Sequence, residues 1–247
     1  MLNDSLTVAI PLYNESATIP YLKSRLDLML EKSNHNNLKI LFVDDGSIDD
    51  TFQLLTNNFS SMDNCKIVKH EINQNLNGFL KTVIELCDTE FVVFLDSDCT
   101  FDPLCIFEMV KLFDPNTDIV NGSPYHPKGT IEGVNKGRLF ISNGANLIYK
   151  VLINKKIYTY TSIFKMYRTS KIKNIKLNTF GFVSVSELFI KCVLNGANVI
   201  EYPCTLSIRK YGDSKIRIAS SIKNHLQFMA YLFLLKVFKF STNDFKK

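Results

Sequence analysis

Phe91-Val92-Val93-Phe94-Leu95-Asp96-Ser97-Asp98 is the stretch whose reading decides the fold. Five apolar residues run unbroken, and two carboxylates follow, one residue apart. A short apolar run bounded by polar residues predicts a strand buried on both faces. In an open α/β sheet the carboxyl end of such a strand faces the ligand crevice. Two carboxylates placed there repel each other until a cation neutralises them, and carboxylate oxygens suit Mg²⁺ or Mn²⁺. Asp96 and Asp98 are therefore read as a divalent-metal site that also holds a diphosphate. The alternative is a strand end with solvated acids, and the flanking sequence decides against it.

On the N-terminal side, 6–11 is an apolar strand followed by Pro11-Leu12-Tyr13-Asn14-Glu15. Proline cannot donate to a central ladder, so the chain is predicted to leave the sheet at Pro11. Helical spacing follows over 18–33, with Ile19, Leu22, Leu26 and Leu30 on one side. A second strand, 39–43, runs into Asp44-Asp45-Gly46-Ser47, where Gly46 permits a tight turn. A helix carrying Phe52, Leu55 and Phe59, a strand over 65–70 and a helix reaching Leu86 lead back to the opening stretch. Beyond it, Asp102-Pro103 opens a helix through Phe113, and 118–122 is a short strand. Alternating strands and helices predict a mostly parallel, doubly wound α/β sheet with helices on both faces. Parallel strands put their carboxyl ends on one rim, so Glu15, Asp44, Asp45, Asp96 and Asp98 are expected together. There is no Gly-x-Gly-x-x-Gly after the first strand and no Gly-Lys-Ser/Thr loop. Nucleotide phosphates would then be held by metal and basic side chains, which argues against an NAD enzyme or a P-loop ATPase.

The second half is less regular. A long helix or helix pair is expected over 131–153, carrying Lys136, Arg138, Ser142 and Asn146. Arg138 and Ser142 are four apart and share a face. Alternation over 161–168 predicts a strand, 183–195 a helix stopped at Gly196, and 198–209 an extended segment. Arg209-Lys210-Tyr211-Gly212-Asp213-Ser214-Lys215 is a basic loop with a glycine hinge. It reads either as a phosphate clamp, with Arg209 bidentate and Lys215 a point charge, or as a solvated turn. The tail, 216–240, is rich in Leu, Phe and Met but broken by Lys236 and Lys239. It is short for a membrane span and very apolar for a surface helix, so it is expected to lie at a membrane interface. Packing on the domain or on a partner helix is the alternative. The expected organisation is a catalytic-type domain over 1–215 and an apolar C-terminal helix over 216–247.

The 247 residues suffice for one large α/β domain. A net charge of +5 suits an anionic ligand or membrane surface and is no nucleic-acid signature. Six cysteines without a Cys-x-x-Cys pair read as reduced thiols rather than a zinc site or disulfide frame. With no basic-then-apolar leader at the start, the expected location is cytoplasmic, peripheral on a membrane face.

These residues together resemble family 2 glycosyltransferases with the GT-A fold, and more narrowly the dolichyl-phosphate mannose synthase group. Pro11-Leu12-Tyr13-Asn14-Glu15 is similar to that family's Pro-x-Tyr-Asn-Glu, Val43-Asp44-Asp45-Gly46-Ser47 to its Val-Asp-Asp-Gly-Ser, and Asp96-Ser97-Asp98 to its Asp-x-Asp. Ser142-Asn143-Gly144-Ala145-Asn146 resembles the group's Ser-x-Gly-Ala-Asn. Thr161-Ser162 with Phe164, Tyr167 and Arg168 resembles its Thr-Ser-Gly-Phe-Arg-x-Tyr-Arg. Glu187-Leu188 and the 209–215 loop resemble later landmarks, and the loop is the more specific to polyprenyl-phosphate acceptors.

The resemblance implies roles. Pro11, Tyr13, Glu15, Asp44 and Asp45 would bind the nucleotide part of a nucleotide-sugar. Asp96 and Asp98 would hold Mg²⁺ or Mn²⁺ and the diphosphate, with Thr100 where the group often has a metal-binding Gln. Arg138, Ser142 and Arg209 would hold the acceptor phosphate and help the diphosphate leave, with Lys215 or Arg209 stabilising the charge that builds on the departing nucleotide. The implied partners are a nucleotide-sugar donor, a polyprenyl phosphate acceptor, and a membrane surface or small membrane subunit. Two departures stand out: Pro124 replaces an arginine of the group and Thr159 an aspartate. The competing readings are transfer to a sugar hydroxyl, with Glu187 as general base, and a membrane-associated binding module without activity.

Overall fold

The computed structural model describes residues 5–33, 37–212 and 218–237. The strand predicted from the opening stretch is β4 (Phe91–Phe94). It pairs in parallel with β1 (Leu6–Leu12), which pairs with β2 (Leu38–Asp44), which pairs with β3 (Cys65–Lys69). On its other edge β4 meets β7 (Lys165–Arg168) antiparallel, and β5 (Ile119–Ser123) and β8 (Val199–Pro203) complete the sheet in the order β3-β2-β1-β4-β7-β5-β8. Six strands are thus parallel and β7 alone is reversed. A separate parallel ribbon joins β6 (Thr130–Ile131) to β9 (Thr205–Leu206).

Two apolar layers cover the sheet, as the unbroken runs require. On one face Phe42, Phe91 and Val93 pack with α1 (Ile19–Glu31), α2 (Thr51–Phe59) and α4 (Cys105–Val110). On the other, Val92 and Phe94 pack with α3 (Asn75–Leu86) and α6 (Val183–Leu194). Burial of Phe, Val and Leu side chains on both faces, each worth about 1.5–3 kcal/mol, is what pins the parallel register.

Pro11 does not take the chain out of the sheet. Strand β1 continues to Leu12, paired with Asp44 of β2. Only the ladder to β4 stops: its last bond runs from Leu95 N to the Ala9 carbonyl. Residues 9 and 11 face the same edge, so the donor that proline lacks points to the side where β4 has already turned away. The two strands splay there, and the splay opens a crevice.

Other boundaries shift. The long helix α5 (Lys136–Leu152) starts at Lys136, capped by the Asn135 side chain accepting from Gly137 N, and Ile131 belongs to β6. Helix α4 starts at Cys105, with Pro103 in the turn before it. Strand β7 starts at Lys165, because 161–163 form a loop fixed by the Asn146 amide oxygen, which accepts from Tyr160 N and Thr161 N. The extended 198–209 segment divides between β8 and β9.

The tail forms α7 (Ile218–Val237), packed on α5 and α6. Phe228, Met229 and Leu232 enter the core layer shared with Tyr149, while Leu226, Phe233, Leu234 and Val237 are exposed. Lys236 interrupts the apolar run for a local reason: its amine donates to the Leu152 carbonyl (3.1 Å) at the C-terminal end of α5. Among the described residues no helix is long and apolar enough to cross a membrane.

Candidate active site

The crevice between β1 and β4 leads into a cleft of about 1430 Å³. Pro11, Tyr13, Glu15, Asp45, Asp96, Asp98, Thr100, Ser142 and Arg209 all line it, so nine residues singled out from the sequence share one cavity. Asp44, next to Asp45 in the chain, is fully buried and does not line it. Arg138 sits on α5, but its side chain is outside the described residues, as is the whole of Lys215.

The first two acidic loops are stitched together. Asn14 N donates to Ser47 Oγ (2.9 Å), Ile48 N to Asn14 Oδ1 (2.9 Å) and Glu15 N to Thr51 Oγ1 (2.7 Å). Gly46 makes the approach possible at φ 75°, where a Cβ would meet the backbone of Ile72 and Asn73 at 2.8 Å. Asp44 is fully buried. One carboxylate oxygen accepts from Ser47 N (3.1 Å), and the other has no partner among the described residues. Few buried carboxylate oxygens are left so in folded proteins. Asp45 is oriented by a chain the sequence did not signal. It pairs with His70 Nδ1 (2.7 Å) and accepts from Gln74 N (2.9 Å), while His70 Nε2 meets Thr82 Oγ1 (2.8 Å).

At the third acidic loop, Asp98 accepts from Thr100 N (3.1 Å) and from Arg209 Nε (2.7 Å). Burial pushes the Asp96 carboxyl up to about 8, Asp98 and Glu15 add to the shift, and Arg209 opposes it. A cation placed between the two carboxylates would relieve that repulsion. Among the described residues there is no cluster of three or more metal-ligating side chains. Two carboxylates still fit Mg²⁺ or Mn²⁺, which keep water and phosphate oxygens in their shell and need only one or two protein carboxylates. Thr100 offers at most a neutral hydroxyl, and its shown contact is through its backbone.

The far end of the cleft is built from α5, the 161–163 loop and the start of α7. Ser142 Oγ meets Thr161 Oγ1 at 3.0 Å. Ser220, Ser221 and Asn224 of α7 complete this wall, a contribution invisible in a tail read only for its apolar content. Beneath it Lys165 is fully buried, donating to the Ser162 carbonyl, and burial pulls its amine down to about 7. Thr159, where the group carries aspartate, meets Ser123 Oγ (2.7 Å) and donates its backbone N–H to Glu201 (3.1 Å).

Glu187 is not in the cleft. It is 1% exposed and ion-paired with Lys191 (2.7 Å), and it accepts from Asn178 N, Thr179 N and Thr179 Oγ1. Both carboxylate oxygens are engaged, by Lys191 and by the 178–179 loop.

A sheet opened at β1 and β4, with carboxylates from three strand ends on one rim, defines an α/β enzyme of the GT-A type. The profile of the glycosyl transferase family 2 matches residues 7–176, and the chain belongs to that family, whose members transfer a sugar from a nucleotide-sugar. It is 28% identical over 214 residues to the dolichol-phosphate mannosyltransferase of Pyrococcus furiosus, covering 86% of this chain and 59% of that protein. The chain therefore spans about three fifths of that relative's length. It is also 28% identical to the polyprenol monophosphomannose synthase of Mycolicibacterium smegmatis, over 85% of this chain and 80% of that one. In fold it is similar to glucosyl-3-phosphoglycerate synthase from Mycobacterium tuberculosis, crystallised with Mn²⁺, UDP-glucose and phosphoglyceric acid. The TM-score is 0.68 at 15% identity, covering 94% of this chain and 79% of that one. The same enzyme with Mg²⁺ and UDP gives a TM-score of 0.64.

Proposed function

We propose that the protein transfers one sugar from a nucleotide-sugar to a polyprenyl phosphate at a membrane surface, with Mg²⁺ or Mn²⁺ at Asp96 and Asp98. The observation that carries this reading is that a single cleft runs from those carboxylates to α5 and α7. These are two packed helices with exposed Phe140, Leu147, Val151, Phe233 and Val237. A charged headgroup on a long apolar chain needs both ends. The names of the two relatives near 28% identity support the same acceptor class.

Pro11, Tyr13 and Asp44 would receive the base and ribose, with Asp45 kept in place by His70. The metal would neutralise the diphosphate and stabilise the charge it gains on leaving. Arg138 and Ser142 would position the acceptor phosphate for attack opposite the leaving group, joined by Lys215. A phosphate monoester is largely dianionic near neutrality, its second pKa being about 6, so no general base is required. The engaged state of Glu187 favours this reading over a hydroxyl acceptor. The test is incubation of purified protein with Mn²⁺, a short polyprenyl phosphate and labelled UDP- or GDP-sugars. Label in the lipid phase is expected; label only on added oligosaccharide would move the assignment to glycan synthesis.

A further inference from the structure

The Arg209 guanidinium spans the two carboxylates at the mouth of the cleft. Its Nε donates to Asp98 at 2.7 Å, and its terminal nitrogens reach Glu15 at 3.0 and 3.2 Å. The segment carrying it is held on both sides. Ser207 N donates to the Thr100 carbonyl (2.9 Å), and the Tyr211 ring lies 5.4 Å from that of Tyr21. At Gly212 (φ 69°) a Cβ would come within 3.0 Å of Thr18. Burial works against the charge on Arg209, but Asp98 and Glu15 outweigh it and keep the guanidinium protonated.

Asp98 is thus claimed twice. A divalent metal sits about 2.0–2.1 Å from its carboxylate oxygens if it is Mg²⁺. With the guanidinium unmoved on the same carboxylate, the two cations would face each other within a few ångströms. We propose that Arg209 is the internal counter-cation of the metal site: it holds Asp98 until a divalent metal displaces it, and then turns, still tethered at Glu15, to the diphosphate that arrives with the metal. This rests on the reading of Asp96 and Asp98 as metal ligands. The exchange makes metal binding to the empty protein weaker than the carboxylates alone would allow. When the diphosphate is present it replaces the lost partner, so metal and nucleotide help each other bind. The exchange also moves the segment around Tyr211 whenever metal binds.

The test uses Mn²⁺ alone, titrated against the full chain by electron paramagnetic resonance. Arg209→Gln is expected to bind Mn²⁺ about tenfold tighter than wild type, since a charge-assisted bond no longer has to be broken. Equal or weaker affinity overturns the proposal. A second measurement does not depend on that variant folding. The chain has no tryptophan, so Tyr211→Trp places a single reporter against Tyr21. Saturating Mn²⁺ is expected to shift its emission, and Asp98→Asn to abolish the shift. Bound Mn²⁺ without a shift overturns the exchange and leaves the metal site standing, whereas a shift that survives Asp98→Asn overturns the assignment of Asp98 as a metal ligand and the exchange with it. Mn²⁺ binding to neither wild type nor variant overturns both readings together.

Discussion

Glu187 and Lys191 form an ion pair of 2.7 Å on one face of α6, with side chains 1% and 3% exposed. A carboxylate so placed acts on the fold. Leaving the partner of a buried pair uncompensated costs about 3–5 kcal/mol. Glu187→Gln is therefore expected to lower the melting temperature strongly while the folded fraction keeps its turnover per molecule. Thermal denaturation beside activity normalised to folded protein checks this. A stable but inactive variant would restore Glu187 as a general base.

Asp98→Ala removes a proposed metal oxygen and a partner of Arg209 together. Mn²⁺-dependent affinity for a nucleoside diphosphate is expected to fall by at least about tenfold, as for loss of one charge-assisted contact. Calorimetry with and without Mn²⁺ reads the difference. Unchanged metal-dependent binding would falsify the assignment of this carboxylate.

Helix α7 docks through Phe228, Met229 and Leu232, and through His225, whose Nδ1 meets the Tyr149 hydroxyl at 2.8 Å. Burial lowers the His225 pKa from 6.5 to about 4. Its folded pKa is depressed, so its contribution is complete above pH 6.5 and disappears as pH falls towards 4. Acid should therefore loosen the helix, by on the order of 2 kcal/mol over that window. The fall in urea midpoint from pH 7 to pH 4.5 should be smaller in His225→Gln than in the wild type. Phe228→Ala should cost about 3–5 kcal/mol at either pH.

Phe140 and Phe233 are 82% and 55% exposed on neighbouring helices. Replacing both by Ser removes apolar area worth about 1.5–3 kcal/mol per side chain at an interface. Sedimentation with vesicles should show binding reduced by at least tenfold, with the melting temperature unchanged within a few degrees. Equal vesicle binding by wild type and double variant would remove these helices from the membrane contact.

The parallel sheet and the shared acidic rim were legible in the sequence because both are local patterns. An apolar run followed by acids specifies a buried strand and a polar end whatever its neighbours are. Three such stretches in an alternating β/α chain must then bring Glu15, Asp44 and Asp96 to the same edge. What the tertiary structure decided depends on contacts between distant residues. The reversal of β7 follows from its place between β4 and β5, which no local periodicity encodes. Glu187 looked like an available acid until the backbone of 178–179 folded onto it. Ser220, Ser221 and Asn224 reach the cleft only because α7 docks on α5. Arg209 was read as a ligand of the acceptor phosphate and the leaving diphosphate, and its contacts with Glu15, 194 residues away, and with Asp98 are what the sequence did not signal. Charge pairing at that separation is settled by how the sheet's crevice and the segment after β9 are brought together, and spacing along the chain carries no record of it.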